Sequence, residues 1–169
     1  MCRFVLLAVA GLLAGQAIAG PSEGEPAPDF AISGSNGTSL RGLRDRARVF
    51  ILFAPAGRAL GIQSMKWNAQ RQHLGELGVA AGLAERQVIV VVVSNGKEIW
   101  PPAPAFVRPT GDHTKIRADY QVPEDQFLAV LVGKDGEVKQ ASAHPVTAAE
   151  LFAIIDAMPM RRQEMKPGK

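Results

Sequence analysis

Val49-Phe50-Ile51-Leu52-Phe53 and Val88-Ile89-Val90-Val91-Val92-Val93 are unbroken apolar runs, rich in β-branched and aromatic residues. A strand with one wet face alternates polar and apolar residues. These runs do not, so each reads as a strand buried on both faces, as at the centre of a parallel sheet. Between them the pattern turns helical, from about Leu60 to Leu83. Leu60, Trp67, Leu74 and Leu77 fall near one face, with Lys66, Arg71 and Glu76 elsewhere. Gly75 and Gly78 weaken that helix somewhat. The three pieces form a βαβ unit, because parallel neighbours need a crossover connection.

Towards the C-terminus, Phe127 to Val132 is a third apolar strand. Gly133-Lys134-Asp135-Gly136 then reads as a tight turn, with Asp-Gly as its signal. Glu137 to Ser142 is more polar and carries Lys139, which suits an antiparallel edge strand. Thr147, with Glu150 three residues on, predicts a capping box for a last helix. Its apolar face is Leu151, Ile154, Ile155 and Met158, and Pro159 stops it. Residues 161–169 read as a polar tail. Residues 97–111 read as irregular, since four of the twelve prolines lie between Pro101 and Pro109. Pro101-Pro102-Ala103-Pro104 reads as a stiff surface loop, with a polyproline helix for a partner's aromatic groove as the sharper alternative. Asp112 or Thr114 is placed to cap a short helix running to Tyr120.

Towards the N-terminus, Gly20 to Pro28 reads as an exposed lead-in. Phe30-Ala31-Ile32 and Thr38-Ser39-Leu40 flank Asn36-Gly37, which suggests a small hairpin. Residues 40–44 suggest one helical turn. Ahead of these, Arg3, the apolar run Phe4 to Leu13 and Ala17-Ile18-Ala19 before Gly20 read as a secretory signal peptide. The run is short of the roughly 20 residues a membrane helix needs.

Composition narrows the function classes. Of 169 residues, 47% are apolar and 21% charged, values of a globular chain. Lys+Arg 19 against Asp+Glu 16 gives a formal charge of +3, too small an excess to point to nucleic acid. The one cysteine, Cys2, rules out an internal disulfide, a C-x-x-C pair or a Cys-rich zinc site. Signal cleavage after Ala19 would remove it, which predicts an exported, cysteine-free chain with no membrane span.

The order strand, helix, strand, helix, strand, strand, helix predicts an α/β three-layer fold. Its expected centre is a mixed sheet of four to five strands with flanking helices, βαβ followed by ββα. That is the thioredoxin order. Gly24-Glu25-Pro26-Ala27-Pro28-Asp29-Phe30, Asn36-Gly37-Thr38-Ser39-Leu40-Arg41-Gly42-Leu43 and the strand into Phe53-Ala54-Pro55 resemble the opening of peroxiredoxins and thiol-disulfide oxidoreductases. Leu131-Val132-Gly133-Lys134-Asp135-Gly136-Glu137-Val138-Lys139, with Ile155-Asp156-Ala157-Met158-Pro159-Met160-Arg161-Arg162-Gln163-Glu164, resembles the P-DUDES family, the domain-of-unknown-function family numbered 4174. The resemblance implies a thioredoxin-like domain over about residues 43–160 and an extracytoplasmic setting. It implies no settled reaction.

In redox thioredoxins the nucleophilic Cys follows the first core strand, where a helix N-terminus stabilises the thiolate. Here that place is Ala54-Pro55-Ala56-Gly57-Arg58-Ala59-Leu60-Gly61, with no thiol. The cis-proline position of thioredoxins falls near Phe127, and Pro123 is about four residues early. No catalytic residue or cofactor is therefore expected. Possible binding residues are Arg58, Lys134, Asp135, Lys139 and Arg161. Asp156 and Arg161 are candidates to salt-bridge the last helix to the hairpin. Asp112-His113 is a candidate acid-base pair, read more simply as a cap beside an exposed ring. His73, His113 and His144 show no metal-ligand spacing. Trp67 reads as core, and Trp100 as a candidate contact. The leading expectation is a non-enzymatic binding module of the cell envelope, with an unknown envelope or extracellular protein as partner. The alternatives are an enzyme without thiol chemistry or an accessory of thiol-redox proteins.

Overall fold

The computed structural model describes residues 20–33, 39–56, 61–95 and 106–166. The signal-peptide reading, the Asn36-Gly37 turn, Arg58, Trp100 and the Pro101–Pro104 stretch lie outside these residues.

In chain order the elements are β1 (Ala31–Ile32), a 3-10 turn (Arg41–Leu43), β2 (Arg48–Phe53), α1 (Ile62–Gly75), α2 (Val79–Glu85), β3 (Val88–Val93), β4 (Phe106–Val107) and β5 (Pro109–Thr110). There follow α3 (His113–Asp119), β6 (Leu128–Val132), β7 (Val138–Ser142), α4 (Ala148–Ala157) and α5 (Pro159–Glu164). The main sheet has five strands in the order β4-β3-β2-β6-β7. β2 is parallel to β3 and β3 to β4, whereas β2–β6 and β6–β7 are antiparallel. This is the predicted α/β architecture, a mixed sheet between two layers.

The doubly apolar runs are explained by what covers them. Val49, Ile51 and Phe53 of β2 face Ile116, Tyr120 and Val122, together with Phe30, Leu40 and Leu43. Phe50 and Leu52 face Trp67 and Leu74 of α1, Leu83 of α2, and Leu151 and Ile155 of α4. Alternation sends neighbouring side chains to opposite faces, and both faces are dry. Trp67 is core, as its helical position predicts.

The single helix expected from Leu60 to Leu83 is two. α1 ends at Gly75, Glu76 is extended, and Gly78 caps α2 with φ +87°, a left-handed conformation that glycine adopts without strain. The break throws Leu77 off the apolar face into full exposure, at 106%. Leu77→Ala is therefore expected to change stability by less than about 0.5 kcal/mol, as for an ordinary surface site. A urea titration checks this, and a cost like that of a core leucine would place Leu77 inside.

The other local signals differ in detail. β1 is bridged to Ser39, and Leu40 N–H donates to Phe30 O at 2.9 Å, so the chain does fold back. Yet the strand partner of β1 is β5, drawn from the segment read as irregular. That segment also supplies β4 to the sheet edge beside β3. The lead-in is clipped to β7 through Gly24 N–H to Val138 O (2.8 Å) and Val138 N–H to Glu25 O (2.9 Å). Tyr120 Oη anchors it on the other side, donating to Pro28 O at 2.9 Å, and burial raises that phenol beyond the ordinary tyrosine range. Asp112 caps α3 by accepting from Thr114 N–H at 2.8 Å, and the Thr147–Glu150 capping box is complete.

Candidate functional site

The two ends of the sheet carry different chemistry. At the carboxyl end of β2, Ala54-Pro55-Ala56 occupies the place of a redox thioredoxin's thiol loop. This end is held by Arg117, which is 4% exposed. Its Nη1 donates to Pro123 O (2.7 Å) and Gln126 O (3.3 Å), and its Nη2 donates to Ala54 O. One guanidinium fork thus ties the end of β2 to the loop before β6. Burial lowers its pKa to about 10, partly opposed by Glu124 and Asp125, so it stays charged at neutral pH. Gln63 of α1 reinforces the tie. Its amide nitrogen donates to Gln126 Oε1 at 2.6 Å, and its oxygen accepts from Phe127 N–H at 3.2 Å. Phe127, at the expected cis-proline position, is fully buried, with its ring centroid 6.4 Å from that of Trp67. Among the described residues no peptide bond is cis. The exposed groups here include the apolar Ile62 and Met65, one turn apart on α1, and the acidic Glu124 and Asp125 of the loop before β6.

The opposite end is an ion-pair network. Arg48 opens β2 on the Phe50 and Leu52 face and is wholly buried. It grips Glu164 of α5 through both terminal nitrogens at 3.2 Å, and donates to Arg86 O at 2.9 Å. Lys134, in the β6–β7 turn and 7% exposed, bonds the same carboxylate at 2.6 Å and the side chain of Gln87. Arg161 reaches Asp156 (3.2 Å), Glu85 (2.6 Å) and Glu164 (3.6 Å). Arg86 completes the network, pairing with Asp156 at 2.6 Å and lying over the Phe152 ring. The Arg86 and Arg161 partners hold Asp156 below the usual carboxylate range. Burial pushes Glu164 up, but Lys134 and Arg48 outweigh it and leave it lowered.

Of the candidate binding residues, Lys134, Asp135 and Lys139 come together in the hairpin, and Arg161 lies one network link away. Lys139 Nζ pairs with Asp135 at 2.5 Å and Glu137 at 2.9 Å. Asp135 also accepts Glu137 N–H at 3.1 Å, so it does set the turn. Gly136 has φ +79°, and a Cβ there would run into the Arg44 guanidinium. Asp156 and Arg161 join the α4–α5 joint to α2. The bridge to the hairpin is Lys134–Glu164. Pro159 ends α4 but begins α5, and Arg161, read as the start of a tail, is 7% exposed. Sequence reading missed Arg48, Arg86, Arg117 and Glu164. The available signal was Arg48, a lone charge opening an otherwise apolar strand. Asp112 is occupied as a cap, and His113 is the first residue of α3. Among the described residues no three His, Cys, Asp or Glu side chains stand close enough to share a metal. Among them, too, no helix is long and apolar enough to cross a membrane.

Fold and site together define a thioredoxin-like domain with no cysteine at the thiol position. The family model "Domain of unknown function (DUF4174)" matches residues 39–164, and the chain belongs to that family. Coiled-coil domain-containing protein 80 of Danio rerio is 29% identical over 140 residues, which is 75% of this chain but 15% of that protein. Among solved structures, the reduced 2-Cys peroxiredoxin of Plasmodium vivax matches with a TM-score of 0.59 at 16% identity, covering 85% of each chain. A thiol:disulfide interchange protein DsbE from Chlorobium tepidum matches with a TM-score of 0.54 at 18% identity, covering 79% of this chain and 98% of its own. At such identities these structures speak for the fold alone.

Proposed function

We propose that the chain is an exported thioredoxin-like domain that acts without thiol chemistry, as a binding module of the cell envelope. One observation carries this reading. The fold is intact, yet the loop after β2 begins Ala54-Pro55-Ala56 and carries no cysteine, and Arg117 ties the strand end to the loop before β6. Alanine and proline neither attack peroxide nor carry electrons, and one fold hosts many unrelated functions. Arg58, four residues after Ala54 in the sequence, and the Lys134–Lys139 hairpin at the far end of the sheet from Ala54 are the charged features such binding would use. The signal-like residues 1–19 support export, with an envelope or extracellular protein as partner.

The experiment is a mass measurement and cross-linking capture on the protein recovered from its producing cell. Export predicts a chain beginning at Gly20, outside the cytoplasm, cross-linked reproducibly to one envelope protein. A chain that keeps Met1 and stays in the cytoplasm would overturn the localisation. Loss of every cross-link without loss of folding would overturn the binding role.

A further inference from the structure

A cavity of about 190 Å³ opens beside the ion-pair network. Arg48, the Gly133-Lys134-Asp135 turn and Lys139 line one side, and Met158, Pro159 and Met160 of the α4–α5 joint line the other. The two sides differ in kind. The helix joint is a pair of thioethers and a proline ring, and the hairpin side is polar.

The polar side holds unspent donors. An arginine has five N–H groups and an ammonium three. Arg48 spends three, two on Glu164 and one on Arg86 O, and its Nε has no acceptor but is sealed from solvent, so Arg48 adds charge behind the wall rather than a reachable donor. Lys134 spends two, on Gln87 and Glu164, and Lys139 spends two, on Asp135 and Glu137, so each ammonium keeps one. Arg48 and Lys134 draw on the same oxygen, Glu164 Oε1. The side chains of Arg48 and Lys134 are 1% and 7% exposed, whereas that of Glu164 is 27% exposed. The dry part of the network is therefore richer in cation than in anion. Asp135, the carboxylate in the lining, is already taken by Lys139 and Glu137 N–H. A buried cation short of acceptors favours an added anion.

We propose that this cavity binds a small organic acid, its carboxylate accepting from Lys134 and Lys139 beside the buried positive charge of Arg48, and its apolar body lying against Met158, Pro159 and Met160. Size sets the class. An apolar cavity of about 150 Å³ holds benzene, so this one suits a free monocarboxylate of about benzoate size. It is below the roughly 300 Å³ at which drug-sized ligands begin. The cavity shares the Lys134–Lys139 hairpin with the features named for envelope binding, but the proposal rests on the lining itself and holds whether or not that role does.

The test follows the methionine methyl signals of the full chain by NMR. The probes are benzoate, its neutral analogue benzamide, and inorganic phosphate. Benzoate is expected to shift Met158 and Met160 saturably, at least tenfold more tightly than benzamide or phosphate. Lys134→Met keeps the stem and removes the donors, and is expected to weaken benzoate at least fivefold. Met160 is partly exposed, so Met160→Trp leaves the network intact while filling the apolar side, and is expected to weaken benzoate at least tenfold. Should Lys134→Met not fold, Met160→Trp still decides. Absence of saturable shifts would overturn the proposal. So would equal binding of benzamide or phosphate, or benzoate binding undiminished in Met160→Trp.

Discussion

Glu164→Gln is expected to destabilise the folded chain by about 3 kcal/mol, the lower end of what breaking a buried ion pair costs. Glu164 itself is reached by solvent, but its principal partner is not. Arg48 is 1% exposed at its side chain, and the amide would leave that guanidinium, and Lys134 beside it, without a counter-charge. Arg161 would keep Asp156 and Glu85, so the loss falls on the β2–α5 and hairpin–α5 links. Urea denaturation should show a lower midpoint with an unchanged slope, the mark of lost stability without a changed fold. The acid limb carries the same information. Glu164 and Asp156 have lowered folded pKa values. Their contribution is thus complete above the ordinary carboxylate range of about 4. It is lost as the pH falls through the lowered folded values. The gap between wild type and Glu164→Gln should therefore narrow on acidification below about pH 4. A variant as stable as wild type at neutral pH would mean that residues 161–164 are the solvated tail their composition suggests.

Arg117→Met is expected to cost a similar amount, about 3 kcal/mol, by a different route. Methionine fills much of the space but donates nothing. Pro123 O, Gln126 O and Ala54 O then lose a shared donor at a buried place, and an unmet buried polar group costs roughly 1–3 kcal/mol. Part of this is recovered as the loop before β6 relaxes towards water. Arg117→Lys should fall between the two, because one ammonium keeps the charge and cannot span both sides of the fork. Amide hydrogen exchange should rise first at Phe127, whose N–H depends on Gln63 and on the placement of this loop. If Arg117→Met matched wild type, this end of the sheet would not be held by the guanidinium.

The central strands were legible because their burial has a local signature. β2 and β3 read as continuous apolar runs, and the Thr147–Glu150 box and the Asp135-Gly136 turn follow rules that act within a few residues. The break between α1 and α2 was half legible. Gly75 and Gly78 weakened the pattern, but Leu77 matched the helical period that the break discards. The charged network was not legible, since Arg48 and Glu164 stand 116 positions apart in the chain. No periodicity encodes such a pair, and Glu164 in a stretch of polar residues looks like solvent-facing sequence. Arg117 was hidden for a related reason. Its acceptors are backbone carbonyls, which every residue has, so the side chain gives no hint of them. Lys134 and Lys139 were found through family-like hairpin sequence, and only the fold shows that the first is buried against α5 while the second lies on the rim.

A thioredoxin-like fold that works without a thiol should turn over neither peroxide nor a disulfide. The most direct measurement is turnover by the full chain carrying Cys2→Ser, which removes the sole cysteine. Hydrogen peroxide consumption and reduction of a protein disulfide are followed with excess dithiol. The predicted result is a rate indistinguishable from the boiled protein in both assays. Sustained turnover above that control would contradict the claim and place a reactive group in this fold that is not a thiol.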